Sequence, residues 1–302
     1  MSKETYRKAT FWDLVDWKQI LPYTLILIIA IFSGLSASNK DVYSEVVELS
    51  TIPAYSGEAS VVINDNMPIF GEVDSDWSAF EDYEELDELG RCVKATAVIS
   101  PDLMPTAERE DISSVKPTGW QTTKYDFIDG GNLFNRCHLI AFMLTGENVN
   151  EENLITGTRY MNTEGMLPYE TMVYDYVMET VEKVLYRVTP IYEGDELIAR
   201  GVQMEAWSLA DNGESICFNV FCYNVQPGVE IDYATGENWE SEFTCQHGDQ
   251  SLVLNTNTGK FHLSTCEGVE DIMSENRQEM SCCPEELIFK GYTPCGSCKP
   301  AA

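Results

Sequence analysis

An uncharged apolar stretch at residues 20–37 divides the chain into two unequal parts. It meets the lower limit of roughly 17 to 25 residues for a helix that spans a bilayer, and it has no polar face that would suit a core helix. Four basic residues precede it: Lys3, Arg7, Lys8 and Lys18. Basic residues stay on the cytoplasmic side, so the following chain is expected outside the cytoplasm. Residues 1–38 are therefore predicted to be a cytoplasmic stub with a transmembrane anchor, or a cleaved signal peptide that leads to secretion.

The net charge limits how the rest of the chain can meet a polyanion. The 302 residues include 19 Lys and Arg against 50 Asp and Glu, a formal net charge of -31. A field of this sign repels nucleic acid at long range. Binding to DNA or RNA would therefore have to depend on a divalent cation and on a few local basic groups.

The pattern after the apolar stretch indicates an α+β fold built on an antiparallel sheet. Apolar and β-branched residues predict strands at 59–63, 92–99, 184–192, 197–207 and 216–224, which gives a meander with a helix on one face. The acidic run at 81–90 is predicted to be a solvated helix or loop with two buried leucines. We divide the chain into a spacer at 39–56, a main domain at 57–233, an acidic linker at 234–250 and a small Cys/His-rich module at 251–302.

The tetrapeptide Asn135-Arg136-Cys137-His138 lies in a predicted strand of the main domain. A second strand at about 153–162 follows, and then a helix whose apolar residues recur at three- and four-residue spacing. Pro168 lies near the start of that helix, where proline is tolerated. Asn162 and Glu170 fall at the start of the helix and about two turns into it.

These residue types suit hydrolysis of a phosphodiester, which needs a base for water and a cation at the phosphate oxygens. His138 is a candidate base, and Arg136 offers a planar fork of donors that fits phosphate. Simpler interpretations stay open. A single histidine is often structural, Asn162 suits a helix cap, and Glu170 suits the positive end of the helix dipole.

Cysteines in the main domain raise two further questions. A cysteine beside a histidine suggests thiol chemistry, but neighbours on a strand point to opposite faces, so Cys137 should point away from His138. Cys92 and Cys137 are a candidate disulfide, although pairing cannot be read from one sequence. Cys217 and Cys222 are an odd number of residues apart, so we do not pair them.

Asn-Arg-Cys-His, the later run Asn-Leu-Ile-Thr-Gly-Thr-Arg-Tyr-Met-Asn and the Glu eight positions on together resemble the bacterial DNA/RNA non-specific endonucleases of the ββα-metal, or His-Me finger, class. The resemblance covers residues 57–232. It implies His138 as general base, with Asn135 also in the motif, and Asn162 as the ligand of one hydrated Mg²⁺ or Mn²⁺. It further implies Glu170 acting on the cation through water. The family pattern is Asp-Arg-Gly-His, so Asn and Cys stand here for Asp and Gly.

Substrate contacts and products are also implied by the resemblance. Arg136 and Arg159 would contact phosphate, the substrates would be DNA and RNA with little preference between them, and the products would carry 5′-phosphates.

The C-terminal module carries a second set of candidate ligands in an H-x3-C…C-x2-C pattern: His262, Cys266, Cys295 and Cys298. Four soft ligands suit tetrahedral Zn²⁺ and leave no open position, which predicts a structural site. Disulfides are the alternative outside the cytoplasm. The segment resembles the Ada-type metal-binding domain, with His262 where that family has its first Cys.

The leading functional hypothesis is a metal-dependent endonuclease outside the cytoplasm. The alternative is a catalytically inactive, membrane-tethered module that binds nucleic acid or acts in adhesion. A third reading is a zinc-module scaffold whose nuclease domain serves another partner. The candidate site leads us to favour the enzyme.

Overall fold

The computed structural model describes residues 47–241 and 247–300. The apolar stretch at 20–37 lies outside the described residues, so the predicted anchor or signal peptide stays a prediction. Within the described part, no helix is long and apolar enough to cross a membrane.

Fourteen strands occur in the described residues. In chain order they are β1 (Ser60–Val62), β2 (Phe80–Tyr83), β3 (Ala95–Ile99), β4 (Phe134–His138), β5 (Leu154–Thr158), β6 (Val184–Ile191), β7 (Gly201–Ser208), β8 (Cys217–Tyr223), β9 (Val229–Ile231), β10 (Asn238–Glu240), β11 (Gln250–Asn255), β12 (Lys260–Leu263), β13 (Arg277–Cys282) and β14 (Thr293–Pro294). The α-helices are α1 (Phe142–Thr145), α2 (Leu167–Thr180) and α3 (Pro284–Phe289). A π-helical turn, Met161–Met166, leads directly into α2.

A six-stranded antiparallel sheet forms the centre of the main domain, in the order β1-β8-β7-β6-β3-β2. The predicted meander is confirmed, because β6, β7 and β8 are consecutive neighbours. One face packs against α2 through buried side chains that include Val173, Val177 and Met204. The ring of Tyr169 on α2 lies 5.0 Å from that of Phe218 on β8. This packing holds the start of α2 against the sheet.

Strands β4 and β5 form a separate antiparallel hairpin, in which Arg136 pairs with Thr156 and His138 with Leu154. Gly157 is required there, since a Cβ at this position would overlap Sγ of Cys137. The chain then enters the π-helical turn, whose first N–H, from Met161, donates to Oγ1 of Thr158 at 3.0 Å. Helix α2 ends at Thr180 and is followed by Val181, whose φ of 64° is left-handed. The hairpin and helix thus form the predicted strand, strand and helix unit.

Three predictions of local structure differ from the observed fold. The run at 81–90 contributes its first three residues to strand β2 and continues as a loop, so the loop alternative is confirmed and the helix alternative is wrong. Leu89 is exposed, so the expectation of two buried leucines is wrong as well. Strand β7 begins at Gly201 and not at 197, because the N–H groups of Leu197 and Ile198 donate to the carbonyl of Tyr233 outside the sheet. The predicted linker at 234–250 is not entirely a linker, because it contains strand β10, which pairs with β9 of the main domain.

The C-terminal module has its own four-stranded sheet, in the order β13-β11-β12-β14, with α3 beside it. Its core consists of Leu252, Leu254, Phe261 and Leu287. The module packs closely on the main domain: a Cβ at Gly57 would lie 2.8 Å from Cδ of Pro294, and Nζ of Lys260 lies 3.7 Å from Oε1 of Glu58.

Candidate active site

A cavity of about 730 Å³ opens where the β4–β5 hairpin meets α2. Its lining includes all six residues that the sequence predicted in the main domain: Asn135, Arg136, His138, Arg159, Asn162 and Glu170. Arg109 and Trp120 line it as well. The fold therefore brings residues from a strand, a π-helical turn and a helix to one place.

The charge of this cavity is opposite to that of the whole chain. Arg109, Arg136 and Arg159 line it, and Glu170 is the only carboxylate among the described residues that do so. Because the whole chain carries a net charge of -31 that repels a polyanion, this cavity provides the local basic surface that nucleic-acid binding would need.

His138 is buried at the end of β4 and is held in its neutral form. Burial, and after it the charge of Arg109, lower the pKa of His138, the backbone of Asn148 and Glu147 acts in the opposite direction, and the resulting pKa is about 4. Nη2 of Arg109 lies 3.2 Å from Nδ1 of His138. Because an arginine N–H can only donate, Nδ1 accepts in this contact and carries the lone pair. Nε2 has no hydrogen-bond partner within the described chain.

Arg109 is the residue of this site that the sequence reasoning missed. It stands among Glu108, Glu110 and Asp111 in a loop, and it is the only cation between Lys94 and Lys116. A single cation within an acidic loop was the one signal in the sequence that could have pointed to Arg109. This signal could not show that the loop folds over β4, since the contact with His138 joins positions 29 residues apart.

Glu170 lies in the first turn of α2 and is buried. Burial raises the pKa of its carboxyl group to about 8, although the charge of Arg109 lowers it. A carboxylate in this position is costly in the absence of a cation, because the charged form has lost its hydration.

Asn162 lies in the π-helical turn, and its backbone carbonyl accepts from the N–H of Leu167. The sequence placed Asn162 at the start of the helix, and the turn extends the helix by one irregular segment. Within the described residues its side-chain amide makes no hydrogen bond to protein. Single π-helical turns are rare and are found mostly where function requires an unusual side-chain position.

Arg136, on β4, lines the cavity but is bound by the loop at 113–115. Its Nη2 donates to the carbonyl of Ser113 at 2.8 Å, its Nε donates to the carbonyl of Val115, and its guanidinium lies 4.1 Å from the ring centre of Trp120. Arg136 therefore fixes the wall of the cavity. Asn135, beside it on β4, is half-buried and also faces the cavity.

Arg159 pairs with Asp129 at the opposite side of the cavity, with Nη2 and Oδ2 2.9 Å apart. Asp129 is highly exposed, so this pair is screened by solvent and contributes little to stability. The arginine remains available to exchange its partner.

The cysteines of the main domain are structural. Cys137 is fully buried against Gly157 and does not line the cavity, as strand alternation requires, and burial raises the pKa of its thiol. The candidate disulfide between Cys92 and Cys137 is wrong, because both are free. The Cys92 thiol instead points to the carbonyls of Glu151 and Leu154.

In the C-terminal module, the four predicted ligands converge. Their ligand atoms all lie within 4.8 Å of one another: His262, Cys266, Cys295 and Cys298. The three cysteines are free, and Nδ1 of His262 is buried with no hydrogen-bond partner in the described chain. The backbone N–H of Leu263 donates to Sγ of Cys298 at 3.4 Å. These donors fit a metal ion that prefers sulfur and imidazole.

Burial acts to raise the pKa of Cys295, but hydrogen bonds from the backbone N–H groups of Cys298 and Ser297 outweigh it and lower that pKa. Burial raises the pKa of Cys298 to about 11.

The hairpin with His138 on its first strand, followed by a helical segment that carries Asn162 and Glu170, is the ββα arrangement of metal-dependent nucleases that the resemblance implied. Comparison with known proteins points to the same family. Residues 73–210 match the family model described as DNA/RNA non-specific endonuclease, the family that the motif resembles.

Individual relatives agree with this assignment. A deoxyribonuclease of Streptococcus dysgalactiae subsp. equisimilis is 34% identical over 110 residues, which are 35% of this chain but only 32% of that protein. NucA from Streptococcus agalactiae has a similar structure. Its metal-free form is 25% identical with a TM-score of 0.56, and its magnesium-bound form is 26% identical with the same TM-score. Each comparison covers 64% of this chain and 92% of NucA.

Proposed function

We propose that the protein is a metal-dependent endonuclease that hydrolyses phosphodiester bonds in DNA and RNA. One observation carries the proposal: a single basic cavity contains a neutral histidine, a buried carboxyl group and an amide that makes no hydrogen bond within the described chain. The name of the deoxyribonuclease relative and the magnesium ion in one NucA structure support the same chemistry.

The donors fit a hard divalent cation. Mg²⁺ and Mn²⁺ prefer oxygen ligands, which the Asn162 amide and the Glu170 carboxylate offer. Asn162 would hold the ion directly and Glu170 would act through water. When bound there, the ion would supply positive charge at the phosphate oxygens and at the departing 3′ oxygen. A cation would also offset the cost of ionising the buried Glu170.

His138 would remove a proton from the attacking water, because its neutral ring leaves a lone pair on Nδ1. The water oxygen then bonds to phosphorus while the bond to the 3′ oxygen breaks, and the 5′-phosphate remains on the product. Arg109 occupies Nδ1 before substrate binds. A phosphate is a stronger partner for an arginine than a neutral imidazole, so substrate would draw Arg109 away and free the base. Arg159 would exchange Asp129 for phosphate in the same way.

Digestion of plasmid DNA and of RNA by the full chain in Mg²⁺ tests the proposal. His138→Ala should lower kcat by roughly 10²- to 10⁴-fold, the usual contribution of a general base. His247→Ala is the matched control, since His247 lies at an exposed position of the predicted linker and outside the cavity. Full activity of His138→Ala, or activity unaffected by EDTA, would contradict the mechanism. Binding without any cutting by the wild type would favour the inactive binding module.

A second part of the proposal is that His262, Cys266, Cys295 and Cys298 hold a structural Zn²⁺. Because the set provides four ligands, no position would be left for substrate. Metal analysis of the purified protein should find one zinc per chain, and Cys298→Ser should reduce it. A protein without zinc that keeps the same melting temperature after treatment with a chelator would contradict this assignment.

The site of action is proposed to be outside the cytoplasm. This rests on the apolar stretch at 20–37 and the basic residues before it. Protease treatment of intact cells, together with the mass of the mature N-terminus, would distinguish a membrane anchor, a cleaved signal and a cytoplasmic protein.

A further inference from the structure

A second cavity, of about 310 Å³, lies between the main domain and the C-terminal module. The main domain lines it with Phe127, Asp129, Tyr160 and Glu164 among others, and the module contributes Phe289 and Lys290. Arg159 lines both this cavity and the catalytic one. The two cavities therefore meet at a residue that the proposed function assigns to phosphate.

The walls of this cavity are largely apolar and are supported by hydrogen bonds and close contacts. Phe127 is half exposed, and its ring lies 5.3 Å from that of Tyr125, whose hydroxyl donates to Oδ1 of Asn238 at 2.9 Å. The hydroxyl of Tyr160 donates to the carbonyl of Gly57 at 3.1 Å. Gly228 allows the close approach, since a Cβ there would lie 3.1 Å from Cε2 of Phe127 and 3.5 Å from the carbonyl oxygen of Phe289. Phe127 is thus an accessible aromatic face on a fixed support.

The charges argue for a base and against a phosphate. Asp129 and Glu164 lie in the lining, and carboxylates repel a phosphodiester but accept hydrogen bonds from the amino and imino groups of nucleobases. The cations lie at the edges: Arg159 on the side of the catalytic cavity and Lys290, paired with Glu286, on the module. The volume is at the lower end of the roughly 300 to 1,000 Å³ typical of small-molecule sites.

We propose that this second cavity is a nucleobase subsite, in which Phe127 stacks on a base next to the nucleotide being cut while Arg159 holds the phosphate between them. The inference rests on the proposed nuclease function and adds a role for the C-terminal module, which forms one wall of the subsite. Stacking is open to every base because each has a π face, so the subsite is consistent with cutting that ignores sequence. It favours a strand whose bases are unpaired near the cut.

Kinetics on designed substrates test the subsite. The full chain is given single-stranded DNA oligonucleotides in which one phosphodiester is cleavable and all others are phosphorothioates, with a single abasic residue moved stepwise across the cut. At one position the abasic residue should raise KM by about 5- to 150-fold, the usual effect of losing one stacked base. Phe127→Ala should raise KM on the intact oligonucleotide by a similar factor, and the two changes together should give no further rise.

The controls separate a lost stack from a damaged fold. Phe127→Tyr should restore the KM, and Trp239→Ala should have no effect, because Trp239 is equally exposed but lines neither cavity. Multiplicative effects of the mutation and the abasic residue would overturn the proposal. So would an unchanged KM for Phe127→Ala.

A readout without cutting keeps the two proposals distinct. In the His138→Ala protein, 2-aminopurine at the identified position should lose fluorescence on binding, because stacking quenches it. The additional change Phe127→Ala should abolish that loss. Quenching that persists without Phe127 overturns the subsite, whereas a wild type that quenches but never cuts contradicts only the nuclease mechanism.

Discussion

Replacing Arg109 with alanine should impair the proposed reaction in two separable ways. Arg109 is exposed and contacts His138 through one hydrogen bond, so its removal leaves the core intact and the melting temperature near that of the wild type. A hydrogen bond from a charged group to a phosphate contributes about 1.5–3 kcal/mol. At 1.4 kcal/mol for each factor of ten, the loss in kcat/KM should be about 10- to 150-fold.

The second effect is on the pH profile. The neutral form of His138 is the active one, and Arg109 helps to keep its pKa at about 4. Without that charge the pKa rises toward 6.5 but stays below it, because burial is the larger cause. A higher pKa means more protonated His138 at pH 5, so the acid limb of kcat/KM should move to higher pH.

The assay is kcat/KM for one oligonucleotide between pH 4 and 9 at saturating Mg²⁺. Arg109→Lys keeps the charge but not the planar fork, so the acid limb should stay in place while kcat/KM falls by an intermediate factor. Arg277→Ala, in an exposed pair with Glu279 on the C-terminal module, is the matched control. Arg109→Ala with an unchanged acid limb and unchanged kcat/KM would refute both the contact and its role.

Three further predictions concern protons and metals. Because Glu170 has a pKa of about 8 in the absence of a cation, Mg²⁺ must displace a proton from it below that pH. The Kd of the protein for Mg²⁺ should therefore decrease from pH 6 to pH 8. Calorimetry on Glu170→Gln should show neither this trend nor proton release. Asn162→Ala should require at least about tenfold more Mg²⁺ for half-maximal activity, because losing even an outer-shell partner of a metal ligand typically costs roughly 10–100-fold in affinity. An unchanged Mg²⁺ requirement would exclude Asn162 as a ligand. In the unfolded state His138 is protonated below pH 6.5, whereas in the native state it is protonated only near pH 4. The unfolding free energy should therefore decrease by on the order of 3 kcal/mol as the pH falls through that window. Urea titrations of His138→Gln should lack this decrease.

The sequence by itself determined the local elements and the candidate ligands. Strand alternation and helical spacing located the hairpin and the helix, because those periods follow from backbone geometry alone. Asn162, Glu170 and His138 could be named because their residue types and spacing resemble a known family. The same holds for the H-x3-C…C-x2-C set, whose ligand atoms converge in the fold.

Only the tertiary structure decided which distant groups meet. Arg109 reaches His138 through a loop whose path no local pattern encodes, and Arg136 is bound to the carbonyls of Ser113 and Val115 within that region. Cys92 and Cys137 are both buried, yet they face different neighbours and remain free. The pKa values of His138 and Glu170 depend on burial, which is a property of the packed chain. Spacing along the sequence can name a base and a ligand, but their protonation and their partners are set by the surfaces that fold around them.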